Sequence, residues 1–221
     1  MNSIESFIIV FALAFGVTIT LVPLSHCLGK RFGVVARFGG RRLAEGDKHG
    51  VSKLGGIAIY GGFMVAALAA QWLPVPRFDP NEILRLIGLL AGGTVIFVVG
   101  VLDDIYEYSP LTLGIGQIIA AGIAVAFQIF IEYLNNPLTG QQTDPWPHIV
   151  TVTLSMFWLG LMMNTVNFMD GLDGLAGGVA FIAGTLLFVN SVFVLNPPQI
   201  SVSLLFFGAD GCVVGICHLQ F

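Results

Sequence analysis

The chain has 221 residues, of which 56% are hydrophobic and 10% charged, with a mean hydropathy of +0.89 and a formal net charge of −4. A soluble domain carries about 25% charged residues, so a soluble domain is excluded. With no basic stripe carrying interleaved aromatics, a nucleic-acid partner is excluded too.

Apolar runs of about 20 residues, the length that crosses a bilayer, recur along the chain. They give seven spans, at 4–24, 53–73, 83–102, 111–131, 148–167, 175–195 and 199–219. The first has no basic n-region and no clear small-residue cleavage site, so it reads as a retained span rather than a removed signal peptide. The expected fold is all-α: a polytopic transmembrane helical bundle forming one integral membrane domain over residues 1–221.

Charge placement sets the orientation. Of nine Lys and Arg, seven (Lys30, Arg31, Arg37, Arg41, Arg42, Lys48 and Lys53) fall between the bodies of spans one and two. The positive-inside rule puts that loop in the cytoplasm and the N-terminus outside. The turn at 74–82 is then outside, with Arg77, Asp79 and Glu82 read as a solvated loop, while Arg85 snorkels to the interface. The loop 103–110 is inside. Residues 132–147, marked by Pro137, Gly140, Pro145 and Pro147, are outside. The stretch 164–174 returns inside, and Asn196-Pro197-Pro198 makes an outer turn. His26, His148 and His218 sit at span edges or near the chain end and read as interfacial. Cys212 and Cys217 share one apolar run and read as core residues, without metal-ligand spacing. Asp210 falls inside span seven; it is either a buried functional group or a sign that this span is poorly formed. The count brings three loops of unusual composition, 25–52, 103–110 and 164–174, to one cytoplasmic face.

Each of these loops carries a motif. The first is Gly46-Asp47-Lys48-His49-Gly50-Val51-Ser52-Lys53-Leu54-Gly55-Gly56. Basic residues followed by small residues opening a helix suit an anion, because a helix N-terminus adds free N–H groups and partial positive charge. An ordinary positive-inside loop explains the same residues. The second is Gly100-Val101-Leu102-Asp103-Asp104-Ile105-Tyr106-Glu107-Tyr108-Ser109-Pro110. Adjacent carboxylates at a span end suit a hard cation such as Mg²⁺, and like charges so close perturb each other's pKa so that one can act as a base. The alternative is a pair of acids marking the water boundary.

The third is Asn164-Thr165-Val166-Asn167-Phe168-Met169-Asp170-Gly171-Leu172-Asp173-Gly174-Leu175. Its polar residues recur every third position, which places them together on one helix face. Such groups are costly beside lipid unless they hold an ion or a polar substrate, or glue helices together. Gly171 and Gly174 predict a helix end that breaks into a loop. Cations for phosphates, carboxylates for a metal and amides for a base or sugar are together what phosphoryl transfer asks for.

At these residues the chain resembles the polyprenyl-phosphate N-acetylhexosamine-1-phosphate transferases, to which the phospho-MurNAc-pentapeptide transferase is related. The likeness runs from Lys48-His49 and Leu54-Gly55-Gly56, through Leu102-Asp103-Asp104 and Ser109-Pro110, to the run of Asn164 to Leu175. It implies transfer of a sugar-1-phosphate from a UDP-sugar to undecaprenyl phosphate at the inner membrane, with Mg²⁺ (or Mn²⁺) as cofactor and UMP as product. It implies catalytic roles for Asp103, Asp104 and Asp173, and metal ligation by Asp104, Asn167, Asp170 and Asp173. Substrate contacts fall to Lys48, His49, Asn164 and Asn167. Ser52-Lys53 before Leu54-Gly55-Gly56 looks more like the GlcNAc branch than the MurNAc-pentapeptide branch. A homodimer stays open.

The chain departs from the family pattern at Ala36-Arg37-Phe38, where an Asp-x-Pro is usual, and at Glu107, where Asp is usual. Family members continue beyond the place matching Phe221 with further spans and a loop rich in His and Arg. The resemblance therefore implies that these 221 residues are inactive alone or need a complementing partner. Three alternatives stand beside the transferase: a non-catalytic truncated paralogue, a phospho-MurNAc-pentapeptide transferase, and a transporter. A transporter would gather polar groups near the bilayer midplane rather than at one interface.

Overall fold

The computed structural model describes residues 3–35, 52–134, 142–169, 175–195 and 198–220. Among them every regular element is helical; isolated bridge residues occur as well, Val35 pairing with Ser52. The helices are α1 (Ser3–Phe32), α2 (Gly56–Ala69), α3 (Glu82–Tyr106), α4 (Pro110–Ala126), α5 (His148–Met169), α6 (Leu175–Val189) and α7 (Ile200–Gln220). A 3-10 turn extends α2 to Trp72 and a π turn extends α6 to Val194.

Among the described residues five helices are long and apolar enough to cross a membrane, while Gly56–Trp72 and Pro110–Ala126 are shorter apolar helices. At 17 residues each, those two sit at the lower end of the spanning range, about 17–25 residues. The chain is a multi-pass membrane protein. The expected span edges move in three places. α1 continues through Pro23 to Phe32, α3 runs on through Asp103 and Asp104, and α4 stops at Ala126. At 30 residues α1 is about 45 Å long, more than a hydrocarbon core of about 30 Å. Its last turn, with Lys30 and Arg31, therefore reaches polar surroundings.

The chain divides into two units, residues 1–79 with 169–221, and residues 80–168. In the first, α1, α2 and α7 pack through small residues. A methyl group on Gly211 would lie 2.8 Å from the Phe11 carbonyl oxygen, and one on Gly215 3.1 Å from that of Phe15. Gly62 of α2 meets the Ala14 carbonyl in the same way, at 3.2 Å. Lipid is as apolar as leucine, so helices in it associate by close packing and polar contacts rather than by hydrophobic exclusion. Phe7, Val10, Ala14, Ala66, Leu204 and Cys212 fill the interior, and Phe188 stacks on Phe207 at 4.8 Å with Phe7 edge-on to it at 5.0 Å. Ile4, Ile8, Leu186 and Phe193 face outward.

Span seven is well formed. α7 is continuous, and Asp210 is buried within it at 2% exposure, accepting a hydrogen bond from Thr185 Oγ1 of α6 at 3.1 Å. The carboxylate lies against Gly184, where any Cβ would collide with it. The reading of 74–82 as a solvated loop changes at Arg77. Its guanidinium donates to Gln71 Oε1 at 2.6 Å and to the Gln71 carbonyl at 3.0 Å. It thus serves the free carbonyl end of α2, where a basic group also opposes the helix dipole.

The second unit holds α3, α4 and α5. α3 and α4 are antiparallel neighbours joined by 107–109. A methyl group on Gly92 would lie 3.0 Å from the Ala120 carbonyl oxygen, and Gly116 leaves room only for Val99, whose Cγ1 would be 2.8 Å from an added methyl. Past the end of α4, the Ile131 N–H donates to Ser155 Oγ of α5 at 2.7 Å.

Candidate active site

The second motif closes α3 and opens α4 within a few residues. Asp103 and Asp104 occupy the last turn of α3. Glu107 stops the helix in the left-handed conformation, φ 51°, and its N–H donates to the Asp103 carbonyl at 2.8 Å. That is an αL cap held by a non-glycine residue. The family resemblance expects Asp here, a residue enriched several-fold in this conformation. Ser109 then caps α4: its Oγ accepts from the Thr112 N–H at 3.4 Å, and Pro110 fills the first helical position, where no N–H is needed. The side chains of Tyr106 and Tyr108 stack at 5.9 Å beside this turn.

Asp103 Oδ1 is buried and has no hydrogen-bond partner among the described residues. A buried carboxylate oxygen left unpaired is costly and calls for an occupant. The adjacent Asp104 and the negative dipole end of α3 add to the attraction for a cation. Hard oxygen donors of this kind fit Mg²⁺ or Mn²⁺. Among the described residues no group of three or more His, Cys, Asp or Glu forms a ready metal cluster. Asp170 and Asp173, which the sequence assigns to the metal, lie outside the described residues.

Asn164 and Asn167 stand exposed in the last two turns of α5, three apart and so on one face. α5 ends at Met169, as the glycines beyond it predict. The Asn164 side chain is fixed at both ends. Its Oδ1 accepts from Gln117 Nε2 of α4 at 3.4 Å, and its Nδ2 donates to the Gly160 carbonyl at 3.3 Å. Gln117 lies two turns into α4, whereas the Ile131–Ser155 bond ties the segment after α4 to the first half of α5. α4 and α5 are therefore antiparallel. The C-terminal end of α3, the N-terminal end of α4 and the C-terminal end of α5 gather at one end of this unit. Asp103, Asp104, Asn164 and Asn167 all belong to that end. Sequence reasoning passed over Gln117; the available signal was a lone amide inside an apolar span.

The first motif belongs to the other unit, and Lys48 and His49 lie outside the described residues. Its end is tied to α1. Ser52 Oγ donates to the Ser25 carbonyl at 3.2 Å and accepts from the Leu54 N–H at 3.1 Å, and the Lys53 N–H donates to the Val34 carbonyl at 3.2 Å. Gly29 gives Ser52 the room it occupies. Gly55 and Gly56 open α2 with neither a left-handed φ nor a crowded Cβ to require glycine.

Comparison with known proteins matches residues 86–218, more than half of the chain, to the family described as glycosyl transferase family 4. The chain is similar to the decaprenyl-phosphate N-acetylglucosaminephosphotransferase of Mycolicibacterium smegmatis, with 31% identity over 171 residues, 76% of this chain and 41% of that protein. It is similar to the probable undecaprenyl-phosphate N-acetylglucosaminyl 1-phosphate transferase of Bacillus subtilis, with 24% identity over 79% of this chain and 45% of that protein. The phospho-N-acetylmuramoyl-pentapeptide-transferase of Listeria monocytogenes is 28% identical over 93% of this chain and 64% of its own length. The chain thus spans from about two fifths to under two thirds of these relatives. It belongs to glycosyl transferase family 4.

Proposed function

We propose that this chain takes part in transferring N-acetylglucosamine-1-phosphate from UDP-GlcNAc to undecaprenyl phosphate, at the cytoplasmic face of an inner membrane. One observation carries the reading beyond family membership. Two carboxylates and two carboxamides, from motifs about 60 residues apart, belong to one end of a three-helix unit. One of those carboxylates has a buried oxygen without a partner.

In the reaction a phosphate oxygen of the lipid forms a bond to the β-phosphorus of the UDP-sugar. The bond from that phosphorus to the bridging oxygen breaks, and UMP leaves with that oxygen. A phosphate monoester with a second pKa near ~6 is mostly dianionic at neutral pH. No strong base is needed, and Asp103 positions the attacking phosphate more than it deprotonates it. Asp104, Asp170, Asp173 and Asn167 would hold Mg²⁺, which supplies charge neutralisation for the pyrophosphate when bound. Asn164 and Asn167 offer donors and acceptors to the nucleotide, and Lys48 and His49 offer positive charge to its phosphates. The density of Lys and Arg ahead of α2 supports the cytoplasmic orientation.

Membranes carrying the chain, supplied with UDP-GlcNAc, undecaprenyl phosphate and Mg²⁺, should release UMP above membranes without it, against the inactivity that the resemblance implies for these residues alone, and a chelator should stop the release. Release no greater than in the control membranes overturns the reading in favour of a non-catalytic relative. A second reading rests on the match of the Listeria protein to nearly the whole chain. It predicts UMP from UDP-MurNAc-pentapeptide but not from UDP-GlcNAc, so the same assay with the donor exchanged separates the two.

A further inference from the structure

We infer that Gln117 is a positioning residue for this site: its buried amide sets the orientation of Asn164, so that Asn164 presents one N–H and one lone pair toward the ligand end of the unit. The inference rests on the transfer reading and adds to it a residue outside all three sequence motifs. Gln117 is only 6% exposed in a helix that is otherwise apolar from Leu113 to Ala126. A buried amide with no partner is unfavourable, and Asn164 Oδ1 supplies the partner at 3.4 Å.

The geometry decides the sense of the Asn164 amide. Its oxygen faces a donor, the Gln117 Nε2, while its nitrogen faces an acceptor, the Gly160 carbonyl at 3.3 Å. Turning the amide over would set like against like at both ends. A carboxamide has two lone pairs and two N–H groups. One of each remains, on a side chain that is exposed on α5 one turn before Asn167.

Gln117 is not needed to dock α4 on α3. Its neighbour Gly116 seats α4 on α3 against Val99, and one residue of helix turns Gln117 about 100° away from that contact, toward α5. The Ile131–Ser155 hydrogen bond ties the segment after α4 to α5. Removing the Gln117 donor should therefore free the Asn164 amide without detaching α4 from α3 or the segment after α4 from α5.

A double-mutant cycle on UMP release tests this. Gln117→Met, which keeps length and loses the amide, should lower kcat about tenfold and leave the melting temperature in detergent unchanged. In an Asn164→Ala background the same substitution should change kcat less than about twofold. A second arm does not depend on turnover. With Cys27, Cys212 and Cys217 replaced by Ala, Gln117→Cys and Asn164→Cys together should be joined by a short bifunctional thiol reagent in membranes. Turnover by the unsubstituted chain with no cross-link, or with equal losses in both backgrounds, overturns the positioning role. A lowered melting temperature with additive losses reassigns Gln117 to packing and overturns it also. A cross-link in a chain that releases no UMP overturns the transfer reading, and the role with it, while leaving the contact between α4 and α5 in place.

Discussion

Two carboxylates lie against apolar helices in this protein, and they are kept in opposite ways. Asp210 sits in the middle of α7, 2% exposed, with Thr185 donating to it and the Gly184 backbone shaped around it. Asp103 sits at the end of α3 beside a second aspartate, with a buried oxygen that no described group satisfies. Most polar atoms that packed helices bury find a partner, as the Asp210 carboxylate does in Thr185. A site that must receive a ligand leaves the partner to arrive later. Position along the helix and the partner at the carboxylate thus set the two apart: Asp210 is held by its own helices, and Asp103 is the one proposed for the chemistry.

Substituting Asp103 should break that contrast most visibly. Asp103→Asn should lower UMP release by about 10²–10³, the size of effect seen when one charge-stabilising group is lost from an active site. The same change replaces a carboxylate one of whose oxygens is buried without a partner, so the detergent melting temperature should hold or rise rather than fall. Loss of activity together with loss of stability would show that Asp103 is structural after all. Next in size is Gly184→Ala, which drives a methyl into the Asp210 carboxylate. Overpacking of this kind costs about 1–3 kcal/mol, read as a lower melting temperature. The fraction of correctly folded protein should drop, while kcat per folded molecule stays level. A fall in kcat per folded molecule would move Asp210 to the functional side.

Much of the fold was legible because lipid imposes a simple rule: each crossing needs an apolar helix, and all seven apolar stretches read from the sequence are helical, five of them long enough to cross by length and composition. Edges were harder. Hydropathy ends span three before Asp103, yet the backbone continues until Glu107 takes a left-handed φ, because hydrogen bonding rather than polarity decides where a helix stops. Asp103, Asp104, Asn164 and Asn167 stood out as polar residues in apolar surroundings. Gln117 did not, since a single amide inside a span has no spacing to betray it, and its meaning comes from a neighbour 47 residues away. Arg77 looked solvated because a sequence does not show that the chain folds back onto the end of α2. The partner of Asp210 was equally hidden: Thr185 is one of many hydroxyls in apolar helices, and only the packing of α6 on α7 selects it.

The smallest expected effect sharpens the comparison most finely. Thr185→Val removes the hydroxyl that donates to Asp210 while nearly keeping the side-chain volume, so packing against α7 is preserved. Side-chain hydrogen bonds between membrane helices average about 0.6 kcal/mol, because the separated helices also find partners. The melting temperature should therefore fall by only a few degrees. If Asp210 is held solely for architecture, combining Thr185→Val with Asp210→Asn should cost little more than either alone, since both act on one bond. UMP release per folded molecule should be the same in all three variants. A double variant that loses activity while its melting temperature matches the singles would mean that the carboxylate of α7 serves the reaction, and satisfaction by a hydroxyl would no longer mark a carboxylate as structural.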